Sequence, residues 1–232
     1  MSTTLEIDEL VARARSLEGL AIDDVARELR ADGARLGGVH GKGRLGELVE
    51  LALGASGGSG RRVVDFPALG VELKTIPVDR RGKPKESTFV AAIDLGAELD
   101  WEDSWVKKKL ERVLFVPIVD EDHVFSPPGE KVGPCKNRTF GRALLWSPTP
   151  AQEAGLRGDY DDVMGLAFVG RIEDVTAHLG RWLQVRPKAR DGRARTLVLG
   201  REGERIATVP RGFYLRARFT GALLEDPAAT PP

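Results

Sequence analysis

An α/β fold, with helices packed around a mixed sheet, is predicted by three features of this sequence. Helical periodicity recurs three times within the first 53 residues. From Val63 the period drops to two, the spacing of strands. Apolar residues make up 41% of the 232 at zero formal net charge, which supplies a core and excludes a disordered chain.

Leu5, Leu10, Val11 and Ala14 share one helical face, and Ile22, Val25, Ala26 and Leu29 repeat the pattern before Gly33 stops it. A glycine-rich stretch from Gly37 to Gly43 opens a third helix, Arg44 to Leu53, with Leu45, Leu48, Val49 and Ala52 as its apolar stripe. After a glycine-rich connection, Val63–Phe66 and Val71–Ile76 read as two strands joined by the turn Pro67–Gly70. In the second, Val71, Leu73 and Thr75 face one way and Glu72, Lys74 and Ile76 the other. Further on, the pattern predicts a strand at Ser87–Ile93, a helix at Trp101–Arg112, a strand at Val113–Val119 and a Gly- and Pro-rich loop over Pro127–Arg142. A helical region follows from Pro150 to about Leu179, then strands near Leu183–Arg186 and Ile206–Leu215, and a disordered tail over 225–232.

Composition narrows the chemistry. The single thiol, Cys135, excludes an internal disulfide, and no Cys/His cluster has the spacing of a structural zinc site. His40, His123 and His178 form no metal or nuclease motif. The charged start MSTTLEIDELVARAR is unlike a signal peptide, and no apolar run approaches the ~20 residues that span a bilayer, so the expectation is a cytoplasmic protein with no membrane partner. Charge is unevenly spread: Arg181 to Arg218 holds eleven bases against three acids, balanced by acidic stretches at Asp120–Asp122 and Asp159–Asp162. A basic stretch of this kind is either an electrostatic footprint for nucleic acid or an ordinary solvated surface.

Asp65 and Glu72-Leu73-Lys74 flank one tight turn. Paired strands across it would bring both carboxylates to one point, where a hard divalent cation relieves their repulsion, with a lysine beside them for a water or phosphate oxygen. This is the acid…acid-x-Lys arrangement of many metal-dependent nucleases. The triplet is common by chance, but of the ten lysines only Lys74 has an acid two residues before it, and it lies on a predicted strand. A surface hairpin with an exposed Glu and Lys is the plainer alternative.

The surroundings add specificity. The run Asp65-Phe66-Pro67-Ala68-Leu69-Gly70-Val71-Glu72-Leu73-Lys74-Thr75-Ile76-Pro77-Val78 resembles the MutH family of strand-nicking mismatch-repair endonucleases nearly residue for residue. So do Lys42-Gly43 with Gly46–Glu50, Leu144–Pro148, Gln184–Ala189 and Pro210–Leu215, in the family's order from about residue 40 to 224.

The resemblance implies a restriction-endonuclease-like fold whose two lobes, a catalytic one at about 1–120 and a DNA-reading one at about 140–224, form a DNA-binding cleft within a single domain, 1–232. It implies Mg²⁺-dependent cutting of the unmethylated strand 5′ to the guanine of a hemimethylated GATC site, with Mn²⁺ or Ca²⁺ able to substitute for binding. Asp65, Glu72 and Glu50 become metal ligands, Lys74 the catalytic lysine and Lys109 a second lysine near the reacting phosphate. Arg186, Pro187 and Lys188 fall in the GATC-reading loop, Tyr214 where the adenine methyl group is sensed, and Phe89, Lys42 and Gly43 at further DNA contacts. A helical wheel alone leaves Glu47 and Glu50 on a solvated face, so the resemblance requires helix 44–53 to turn Glu50 inward. The implied protein is a monomer activated by MutL, with MutS acting indirectly. Two alternatives stay open here: a GATC-type restriction endonuclease making double-strand breaks, and a DNA-binding module without catalysis.

Overall fold

The computed structural model describes residues 3–34, 36, 43–56, 62–93, 100–120, 137–188 and 194–231. It is mixed α/β, and the chain divides into two compact units. The first comprises Met1–Lys85 with Arg112–Trp146, the second Glu86–Glu111 with Ser147–Pro232. These boundaries differ from lobes contiguous in sequence: after the first strand the chain lends a strand and a helix to the second unit, then returns.

In the first unit, helices α1 (Thr3–Ser16), α2 (Ile22–Ala31) and α3 (Arg44–Leu53) lie where periodicity places them, and α3 matches to the residue. Strand β1 (Glu72–Val78) pairs in parallel with β3 (Val113–Asp120), whose other edge carries β4 (Arg138–Phe140) and β5 (Leu144–Trp146), both antiparallel. As the central strand β3 is buried throughout except at Val119, which explains its continuous apolar run. Pro117, which cannot donate to a ladder, sits between the stretches paired with β4 and β5. Leu48, Val49 and Leu53 of α3 share one core with Val71, Leu73, Leu114, Val116 and Ile118. This burial anchors α3 on the sheet.

Two expectations are corrected here. Val63–Phe66 is not a strand: only Phe66 bridges to Val71, closing the turn, and β1 finds its partner in β3. The cause is local. Continuing an antiparallel hairpin would pair Leu73 N–H with a backbone carbonyl, but the Asp65 carboxylate takes that N–H, Oδ2 at 2.7 Å. The loop expected over Pro127–Arg142 contains β4, while 121–136 lie outside the described residues. Asp120, from an acidic stretch that counts only as balancing charge in the sequence, is buried and pairs with Lys85 at 3.0 Å.

In the second unit, β2 (Thr88–Ala92), β9 (Arg211–Leu215) and β6 (Leu183–Pro187) form an antiparallel sheet with β9 central. β7 (Thr196–Leu199) and β8 (Arg205–Thr208) make a separate hairpin, so the strand expected over Ile206–Leu215 is two. Helix α4 is Trp105–Leu110, shorter than predicted, because Ser104 Oγ accepts the Lys107 N–H at 3.0 Å and caps it there. Helix α5 (Pro150–Phe168) starts at a Thr149–Gln152 capping box and stops before Gly170, at φ +73°, well short of Leu179. Helix α6 (Ala217–Glu225) closes the chain. Beyond it the expected disordered tail is tied down: Gln152 Nε2 donates to the Pro227 and Ala229 carbonyls at 2.9 and 2.8 Å, and Trp182 Nε1 to that of Pro231 at 2.8 Å. Among the described residues no helix is long and apolar enough to cross a membrane.

Candidate functional site

Glu72 opens β1 and is 1% exposed. Alternation on an edge strand would send it to solvent, but its carboxylate instead receives the Lys74 ammonium, Nζ to Oε1 at 2.6 Å, with the lysine side chain 18% exposed. Asp65 is oriented by its bond from Leu73 N–H, and Arg112 Nη1 donates to the Leu69 carbonyl at 2.8 Å, bracing the turn between the two acids. No sequence signal marks Arg112 for this task, since its partner is a backbone oxygen far along the chain.

Glu50 projects from α3 beside its buried face and is itself half-buried. Burial pushes its carboxyl above the ordinary glutamate range; the negative charges of Asp65, Glu47 and Glu72 push the same way, and Lys74 opposes them. Glu50, Asp65, Glu72 and Lys74 thus lie within electrostatic reach of one another, while Glu47 stays exposed. Among the described residues no three acidic, His or Cys side chains already converge to metal-ligating positions. The donor chemistry nevertheless suits a hard divalent cation: the candidates are carboxylate oxygens, and their mutual repulsion at Glu50 is what such a cation removes.

A second constellation lies in the second unit, on the three-stranded sheet. Phe89 of β2 and Tyr214 of β9 are register partners, their rings packed edge to face at 5.2 Å. Lys188 Nζ stands 3.3 Å from the centre of the Phe89 ring, and the Arg186 guanidinium lies 6.0 Å from that of Tyr214. Arg186 Nη1 also donates to Ser87 Oγ at 2.9 Å. Burial raises the Tyr214 phenol above its ordinary pKa, with Arg186 opposing and Glu86 adding to the rise, so the ring stays neutral. Pro187 ends β6, exposed. Lys109 also belongs to this unit, on α4, with its ammonium 5.7 Å from the Trp105 ring. Gly43 caps α3 at φ +84°, and Lys42, His40, His123 and Cys135 lie outside the described residues.

The basic stretch Arg181–Arg218 is less available than its composition suggests. Arg216 donates to the Gly180, Ala177 and Leu179 carbonyls and to Gln184 Oε1, Arg211 pairs with Glu173 at 3.1 Å, and Arg201 with Asp174 at 2.8 Å. These arginines hold the unit together. Arg181, Arg186, Lys188, Arg195, Arg205 and Arg218 are exposed, as is Arg201 despite its ion pair, with Arg186 and Lys188 beside the aromatic pair, while Arg190 and Arg193 lie outside the described residues.

Acids and a lysine gathered at the head of a strand in a mixed sheet suit metal-assisted phosphodiester hydrolysis, the chemistry of metal-dependent nucleases. The family described as "DNA mismatch repair enzyme MutH" matches residues 53–159. The DNA mismatch repair protein MutH of Klebsiella pneumoniae (strain 342) is 43% identical over 227 residues, covering 94% of this chain and 90% of the relative. That of Escherichia coli O6:K15:H31 is 42% identical, covering 94% and 91%. The chain belongs to the MutH family: it is a DNA mismatch repair endonuclease, a divalent-metal-dependent nuclease that binds DNA. Membership decides against both alternatives, the restriction enzyme and the non-catalytic module.

Proposed function

We propose that this chain nicks the unmethylated strand of hemimethylated GATC duplexes with Mg²⁺, as a cytoplasmic monomer that MutL activates and MutS controls indirectly. The observation that carries the reading is the gathering of Asp65, Glu72, Lys74 and Glu50 around one turn, strand and helix. Asp65, Glu72 and Glu50 would hold the metal, which when bound activates a water and stabilises the leaving oxygen. Lys74 is a fixed positive charge at the same point, where a phosphate gaining negative charge in the transition state is stabilised. The Asp65 carboxylate cannot swing freely, because Leu73 N–H holds one of its oxygens. In the second unit, Arg186 and Lys188 supply donors for base edges and phosphates, and Tyr214 with Phe89 supplies the apolar contact for a methyl group.

Matched GATC plasmids, unmethylated, hemimethylated and fully methylated, with Mg²⁺ and with or without MutL and ATP, test this reading. Activator-stimulated open circles that spare the methylated strand are expected, and Asp65→Ala should yield none. Linear product without activator, or cutting undiminished in Asp65→Ala, would refute it.

Lys109→Ala is expected to lower turnover about a hundredfold at saturating DNA while leaving the Kd for duplex nearly unchanged, the pattern of transition-state charge stabilisation. Equal losses in both would remove Lys109 from the catalytic group. Tyr214→Ala should cut discrimination between hemimethylated and fully methylated duplex about tenfold, the scale on which a single methyl is read in an apolar contact. Unchanged discrimination in competitive cleavage would exclude Tyr214 as the sensor.

A further inference from the structure

We propose that Ser87 is a positioning residue for DNA recognition, its hydroxyl holding Arg186 across the central strand so that the guanidinium is aimed before duplex arrives. The inference rests on the DNA-reading role proposed above for Arg186.

Ser87 stands immediately before β2, and Arg186 lies on β6, on opposite sides of β9. Arg186 is the register partner of Gly212 and Phe89 that of Tyr214, so the guanidinium must travel along and over β9 to meet Ser87. It does so above the Tyr214 ring, 6.0 Å from its centre, ending 2.9 Å from Ser87 Oγ. A long, exposed arginine otherwise samples many rotamers, and the entropy lost on freezing them is charged against binding. A hydroxyl that holds the guanidinium beforehand removes part of that loss. The fork stays usable: Ser87 engages Nη1, and guanidinium carries five N–H donors in all. Phosphate attraction depends on charge and not on aim, so Ser87 should affect binding to the recognition sequence and leave general duplex affinity alone.

The full-length protein and its Ser87→Ala, Ser87→Thr and Arg186→Ala variants would be titrated with GATC and scrambled duplexes across a salt series, with Ca²⁺ in place of Mg²⁺. Ser87→Ala is expected to weaken GATC binding about three- to tenfold, with scrambled-duplex affinity and salt slope unchanged, and Ser87→Thr to restore the parent value. Arg186→Ala should lose the GATC preference altogether. The positioning role is overturned if Ser87→Ala binds GATC like the parent while Arg186→Ala loses preference, if Ser87→Ala weakens both duplexes equally, or if threonine fails to restore binding. If Arg186→Ala itself keeps the preference, the reading of Arg186 fails and the inference fails with it.

Discussion

Lys74→Ala should abolish strand cleavage and loosen the fold in the same step. The ammonium lies 2.6 Å from a carboxylate that is 1% exposed, so its removal deprives the reacting phosphate of a charge and strips the buried Glu72 of a countercharge. Losing one positioned electrostatic group costs about 10²–10³ in rate. Breaking a buried pair from one side costs about 3 kcal/mol, more than the pair's net contribution, because the remaining charge stays out of water. A second variant separates the two effects. Lys74→Met combined with Glu72→Gln removes both charges at similar volume and should regain most of the lost stability while remaining inactive. Urea unfolding and plasmid nicking on the same preparations decide it. Lys74→Ala cutting within a few-fold of the parent would dismiss Lys74 as catalytic; a double variant no more stable than Lys74→Ala would dismiss the burial argument.

That pair also marks how far sequence reasoning reaches. Helix α3 is legible because its apolar spacing and flanking glycines are local, and the placement of Glu72 and Lys74 on a strand is legible for the same reason. The strand's partner is not: β1 lies beside β3, some forty residues away, while on its other edge Asp65 takes the N–H that a hairpin would have used. Resemblance, not periodicity, singles out Glu50, since a wheel shows only that it lies off the apolar stripe. Asp159 escaped both routes. It belongs to an acidic run that reads as surface, yet it is buried and accepts the Arg181, Trp182 and Leu183 N–H groups at 2.6, 2.7 and 2.8 Å, setting the entry to β6 and so the aim of Arg186 and Lys188. A side chain whose partners are backbone groups twenty residues away leaves no pattern to read.

The same limit applies to two glycines of α5, and they should respond in opposite directions to one substitution. Helix propensity favours alanine over glycine by about 1 kcal/mol, so propensity alone predicts that Gly155→Ala and Gly158→Ala both stabilise. A methyl at Gly158 meets nothing within 4 Å. One at Gly155 runs into the Trp182 indole, 2.7 Å from Cε3 and 2.9 Å from Cη2. The indole has nowhere to go: it stacks on Phe219 at 4.9 Å, its Nε1 is bonded to the Pro231 carbonyl, and its own backbone N–H is held by Asp159. Overpacking against a clamped ring costs about 1–3 kcal/mol or more and outweighs the propensity gain. Gly158→Ala is therefore expected to raise the melting temperature by about 1–4 °C and Gly155→Ala to lower it by up to about 8 °C, using the scaling for a chain of this length. Differential scanning calorimetry of the two variants beside the parent measures both shifts. If Gly155→Ala melts with or above Gly158→Ala, the indole is not held against α5 and the packing that seats β6 must be redrawn.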